Sequence, residues 1–144
     1  MLFRSVETAN PSIRATETIL LVEDEQGVRE ATAEYLKENG YNVLAANGGP
    51  HALTLATEFK ETIHLLLTDV VMPQMSGREL SEKIKVIHPE TAIVFMSGYS
   101  NNLLSSQQIL DPGHILLQKP IRLPQLGKRL HEILERGKAA SAGR

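Results

Sequence analysis

Two adjacent carboxylates, Glu23 and Asp24, together with Asp69, Ser97 and Lys119, are the side chains of this sequence whose types and places could act together. Each group follows a short apolar run. Residues 19–22 lead into Glu23-Asp24-Glu25, residues 63–67 into Thr68-Asp69, residues 92–96 into Ser97-Gly98, and residues 115–117 into Gln118-Lys119-Pro120. Clustered carboxylates repel, and a hard cation relieves the repulsion. Mg²⁺ is commonly held by one or two carboxylates, several waters and a phosphate oxygen. Three carboxylates and one ammonium leave a formal charge of −2, which one Mg²⁺ cancels. A phosphoryl group arriving on Asp69 would meet a cation, an ammonium and a hydroxyl. Phosphoryl transfer asks for such parts, because positioning and charge stabilisation carry most of it.

Each residue also has a plain structural reading. Asp24 could cap a helix starting near Gly27. Asp69 could open a turn before Met72-Pro73. Lys119 could be a solvated surface lysine, and Ser97 a helix cap. These four explanations would all have to fall at one end of one sheet, and that coincidence favours a shared site.

The elements that would position them are short. The apolar runs at 19–22, 63–67, 92–96 and 115–117 suit strands buried on both faces of a parallel sheet. The weaker run at 41–46 suits an edge strand. Helical spacing fills the gaps. Val28, Ala31, Tyr35 and Leu36 make one face, stopped by Asn39-Gly40. Ala52, Leu55, Ala56 and Phe59 make a second. Leu80, Ile84 and Ile87 make a third, ended by His88-Pro89. Leu123, Leu126, Leu130, Ile133 and Leu134 make the last. Residues 100–110 are expected to form a short helix, followed by a turn at Asp111-Pro112-Gly113. Five repeats of strand and helix imply an α/β fold with a parallel sheet. Ligands then bind outside the carboxyl ends of the strands, where the five side chains fall.

Composition narrows the function classes. A net charge of −2 gives no strong field toward nucleic acid or an anionic membrane. The absence of cysteine excludes a disulfide scaffold and thiolate metal sites. No apolar run approaches a membrane span, and no signal-peptide core follows Met1, so the expected place is the cytoplasm. The five histidines lack metal-ligand spacing. His131-Glu132 on a helix superficially suits a phospho-donor, but no ATP-binding domain accompanies it. Gly48-Gly49-Pro50 lacks the lysine and hydroxyl of a phosphate loop.

With these motifs in hand, residues 18–136 resemble a response-regulator receiver domain. The resemblance rests on Glu23-Asp24, the run Asp69-Val70-Val71-Met72-Pro73 with Gly77, then Ser97, then Lys119-Pro120. It implies a flavodoxin-like doubly wound (βα)5 fold with a five-stranded parallel sheet in the order 2-1-3-4-5. It also implies site roles. Asp69 is the phosphoacceptor, and Ser97 and Lys119 contact the phosphoryl oxygens. Mg²⁺ is held by Asp24, Asp69 and the Val71 carbonyl, with Glu23 acting through a water. The Lys119–Pro120 bond is cis. Where the family places an aromatic switch residue this chain has Leu116, so Tyr99 is expected to share the readout. Val71 and Tyr99 are expected to flank the acceptor and gate water. The strings Phe95-Met96-Ser97-Gly98-Tyr99-Ser100 and Leu117-Gln118-Lys119-Pro120 are similar to receivers at the C-terminus of hybrid sensor histidine kinases.

The expected partners are a histidine kinase or a histidine phosphotransfer protein, with dimerisation on phosphorylation allowed for, and neither nucleic acid nor membrane. Residues 1–17 read as a flexible lead and 137–144 as a flexible tail. Two other classes stay open at this point. A haloacid-dehalogenase-type phosphatase also uses an aspartyl nucleophile, but on its first strand and with a second Asp two residues later, where this chain has Val71. A phosphorylation-independent interaction module would usually lack the acceptor or the lysine.

Overall fold

Strands rich in Leu, Ile and Val with no polar alternation must be covered on both faces, and the helices that join them provide the cover. A computed structural model describes residues 16–98 and 115–142, with side chains to residue 137. The strands are β1 (Thr18–Val22), β2 (Asn42–Ala46), β3 (Leu65–Asp69), β4 (Ala92–Ser97) and β5 (Ile115–Gln118). The described helices are α1 (Gln26–Glu38), α2 (Gly49–Glu58), α3 (Gly77–Ile87) and α4 (Leu123–Ala142). All strand pairs are parallel, in the order β2-β1-β3-β4-β5. The sheet is therefore flavodoxin-like and doubly wound. The expected helix at 100–110 and turn at 111–113 lie outside the described residues.

The period-2 rule divides the central strands between two cores. Ile19, Leu21, Leu65, Leu67, Val94 and Met96 face one side, packed with Leu36 of α1 and Leu126, Leu130 and Ile133 of α4. Leu20, Val22, Leu66, Ile93 and Phe95 face the other, with Ala52 and Ala56 of α2 and Leu80 and Ile84 of α3. Truncating one of these buried leucines to alanine costs about 2–5 kcal/mol. Edge strands β2 and β5 are only partly buried, as one-sided neighbours require.

Several expectations need correction. The buried stripe of α1 is Thr32, Ala33 and Leu36, while Val28 and Ala31 face solvent. Tyr35 is half-buried because its ring lies over Gly127 of α4. A Cβ added at Gly127 would come within 2.9 Å of Tyr35 Cε2. Ile87, the last residue of α3, stays partly exposed. β3 begins at Leu65 rather than at Ile63. At the other end, α4 continues to Ala142, past the boundary drawn at Arg136. Lys138-Ala139-Ala140 are strong helix formers, and polarity alone did not reveal them as helix. Glu17, assigned to the lead, is buried, and its carbonyl accepts the Asn42 N–H at 3.0 Å.

Candidate functional site

Parallel register delivers the polar residues to one edge. Val22 pairs with Thr68, Asp69 pairs with Met96, and Ser97 pairs with Gln118. Glu23, Asp69, Ser97 and Lys119 thus stand at or one residue beyond the carboxyl ends of β1, β3, β4 and β5. The Ser97 carbonyl accepts the Lys119 N–H at 2.8 Å, which extends the β4–β5 ladder to the lysine. The Lys119–Pro120 peptide bond is cis.

Lys119 Nζ lies 2.8 Å from Asp69 Oδ1 and 3.1 Å from Glu23 Oε1. Glu23 is fully buried, and its second carboxylate oxygen accepts the Glu25 N–H at 3.1 Å. The main chain of Glu23 is also held: its N–H donates to Ala46 O, and its carbonyl accepts Arg29 Nη1 at 2.9 Å. Asp24, by contrast, is exposed. Ligand oxygens of Glu23, Asp24 and Asp69 all lie within 4.8 Å of one another.

Burial pushes the Asp69 carboxyl up to about 6; the Lys119 hydrogen bond opposes this, and the negative charge of Glu23 adds to it. For Lys119, burial works against the ammonium, but hydrogen bonding and attraction to Asp69, then Glu23, outweigh it and raise the pKa. Two carboxylates share one ammonium, with a third carboxylate at the mouth. An all-oxygen donor set with excess negative charge fits a hard metal ion.

The loop after Asp69 is tightly held. Val70 N–H donates to Met96 O at 3.0 Å, and Gly77 N–H returns to Val70 O at 2.8 Å. A Cβ at Gly77 would sit 2.1 Å from the Asp69 carbonyl oxygen, so the start of α3 rests directly on the Asp69 backbone. Ser76 caps that helix by accepting the Glu79 N–H at 3.0 Å. Gln74 has φ 74°, an uncommon left-handed conformation for a residue with a side chain.

The response regulator receiver domain family model matches residues 19–131. The chain belongs to this family. The receiver is 34% identical over 133 residues to the sensor kinase CckA of Brucella abortus, covering 92% of this chain and 14% of that kinase. It is 33% identical over 116 residues to the response regulator receiver protein CpdR of the same organism, covering 81% of this chain and 95% of CpdR. Among solved structures, the receiver domain of the hybrid histidine kinase CckA superposes with a TM-score of 0.68 at 34% identity, covering 81% of this chain and 98% of that one. The chain is thus a small part of one such relative and nearly the length of another. Membership in the receiver family takes the place of the phosphatase reading.

Of the residues singled out by sequence, Glu23, Asp24, Asp69 and Lys119 form one cluster in the receiver. Ser97 is buried at the end of β4. Val71 is 74% exposed beside the site, and Leu116 is partly exposed on β5. Tyr99 lies outside the described residues. Three histidines hold backbone instead of a metal: His64 Nδ1 accepts the Thr18 N–H at 3.0 Å, His51 Nδ1 accepts the Asn47 N–H at 3.1 Å, and His88 Nε2 meets Ala56 O at 2.9 Å. Arg29 was missed by sequence reasoning; the available signal was a cation in the first turn of a helix, where the dipole disfavours it. Among the described residues no helix is long and apolar enough to cross a membrane.

Proposed function

We propose that this receiver accepts a phosphoryl group on Asp69 from a phosphohistidine of a histidine kinase or histidine phosphotransfer protein, with Mg²⁺ bound. The observation that carries the reading is the buried Asp69 carboxylate at 2.8 Å from Lys119, with Glu23 and Asp24 alongside. An Asp69 oxygen attacks phosphorus, the phosphorus–nitrogen bond breaks, and the donor imidazole leaves with the bonding pair. Lys119 and the Ser97 hydroxyl take phosphoryl oxygens, and transfer proceeds by charge stabilisation. Asp24, Asp69 and the Val71 carbonyl would hold Mg²⁺, with Glu23 acting through a water. Bound there, the cation would neutralise the charge that develops on the phosphoryl oxygens.

The receiver unit, drawn from the sequence as residues 18–136, takes in Glu17 at its start and the whole of α4 to Ala142. The domain is a signalling device in the cytoplasm: it assists its own phosphotransfer and slow dephosphorylation but turns over no separate substrate. Phosphorylation adds roughly −1.5 to −2 charges and biases a two-state surface that runs through Ser97, Tyr99 and Leu116. Incubation with acetyl phosphate and Mg²⁺, followed by intact mass measurement, tests the core claim. One phosphoryl group, labile to base and to hydroxylamine, is expected on the wild type and none on Asp69→Asn. Labelling of Asp69→Asn at the wild-type rate overturns the assignment.

A further inference from the structure

Glu23 and Asp24 lie on a turn between β1 and α1, and turns do not hold metal ligands rigidly by themselves. Three of the fastenings of Glu23 follow from its place in the fold: its N–H bonds to Ala46 O in the β2 direction, Oε1 meets Lys119, and Oε2 accepts the Glu25 N–H. The fourth comes from the side chain of Arg29, whose Nη1 donates to the Glu23 carbonyl at 2.9 Å.

That carbonyl matters for the next residue. A peptide unit is planar, so the Glu23 C=O and the Asp24 N–H and Cα lie in one plane. Fixing the direction of the carbonyl fixes where the Asp24 Cα sits, and so where its carboxylate can reach. Arg29 is also placed against its own helix. It lies in the first turn of α1, where a cation is disfavoured by the dipole; that turn contains no acidic residue, and the N-cap Glu25 makes no side-chain cap hydrogen bond. Helix stability alone does not account for an arginine there.

We infer that Arg29 is a positioning residue for the metal site: its hydrogen bond to the Glu23 carbonyl orients the Glu23–Asp24 peptide and presents the Asp24 carboxylate to the cation. The inference rests on the reading of Glu23, Asp24 and Asp69 as a Mg²⁺ site. It also makes α1, the helix that carries Arg29, a mechanical part of that site. Any contact that draws the guanidinium away from the carbonyl would loosen Asp24 and weaken metal binding.

Charge and position predict opposite signs, which makes the test sharp. Removing a cation beside an acidic cluster should strengthen attraction of Mg²⁺. Losing the positioning bond should weaken it, by about tenfold on the scale of other residues that orient metal ligands. The experiment titrates Mg²⁺ into the wild-type chain, Arg29→Met and Arg29→Lys by calorimetry, with thermal melts in EDTA alongside. Arg29→Met keeps length and helix propensity but lacks the donor; Arg29→Lys keeps a donor. The expected result is weaker binding for Arg29→Met, binding near wild type for Arg29→Lys, and EDTA melts that do not follow this order. Equal or tighter binding by Arg29→Met overturns the inference, as does Arg29→Lys binding as weakly as Arg29→Met. Should Arg29→Met not fold, Arg29→Leu, which also lacks a donor, is titrated in its place under the same criteria. Wild type that takes up no Mg²⁺ overturns the metal reading and this inference with it.

Discussion

Lys119 stands 2.8 Å from Asp69, at the ends of two strands separated in the sheet by β4. The same ammonium reaches Glu23 at 3.1 Å, so one cation spans three strand ends. Lys119→Met would leave two buried carboxylates facing each other. In EDTA this variant should lose about 2 kcal/mol of stability to denaturant. Saturating Mg²⁺ should recover part of the loss, since a divalent ion can replace the missing charge. Urea melts with and without Mg²⁺ measure both; an EDTA midpoint equal to wild type would show that the ion pairs contribute nothing.

The raised carboxyl of Asp69 sets a pH dependence for the metal-free protein. Its folded pKa of about 6 exceeds the ordinary value of 3.8, so the fold favours the protonated form. Its contribution to stability is complete below the unfolded pKa and is lost as pH rises through about 6. The loss is at most on the order of 3 kcal/mol, because each tenfold difference in proton affinity between the folded and unfolded chain is worth about 1.4 kcal/mol. Wild type in chelator should therefore weaken between about pH 4 and 7 relative to Asp69→Asn, which lacks the titrating group. Parallel stability profiles for the two proteins would contradict the raised carboxyl.

Gly77 is required by close approach. The nearest atoms to an added Cβ are backbone atoms of Asp69 and Val70, at 2.1, 3.0 and 3.1 Å, which no side-chain rotation can relieve. Gly77→Ala should cost about 3 kcal/mol and displace the acceptor. Phosphorylation by acetyl phosphate should slow well below wild type at temperatures where the variant is still folded. A variant of full stability and full rate would mean that the loop yields freely.

The lifetime of the phosphoryl group turns on water. Hydrolysis needs a water in line with phosphorus, and a polar side chain beside the acceptor can orient it. Val71, two residues after Asp69 and 74% exposed, has no group to do so. Tyr99, which lies outside the described residues, is the second side chain proposed for this gate. Slow self-dephosphorylation follows, and Val71→Asn combined with Tyr99→Glu should speed phosphate release at fixed Mg²⁺. Release no faster than wild type would remove both side chains from the gate.

Strand identity was legible in this sequence because the runs at 19–22, 63–67 and 92–96 are almost continuously apolar, as strands of a doubly covered parallel sheet are, although the third strand begins only at Leu65. The residue types at their ends, Glu23-Asp24, Asp69, Ser97 and Lys119-Pro120, were legible for the same reason: a strand's carboxyl end is known once the strand is. The tertiary structure decided the rest. The sharing of Lys119 between Asp69 and Glu23 depends on register across β1, β3, β4 and β5, and no local spacing encodes it. The inward face of α1 depends on how the helix lies against the sheet and α4, and it buries Thr32, Ala33 and Leu36 while Val28 stays outside. Arg29 belongs to the same class: its bond to the Glu23 carbonyl joins a side chain to a backbone atom six residues away, and only the folded path of the turn brings them together.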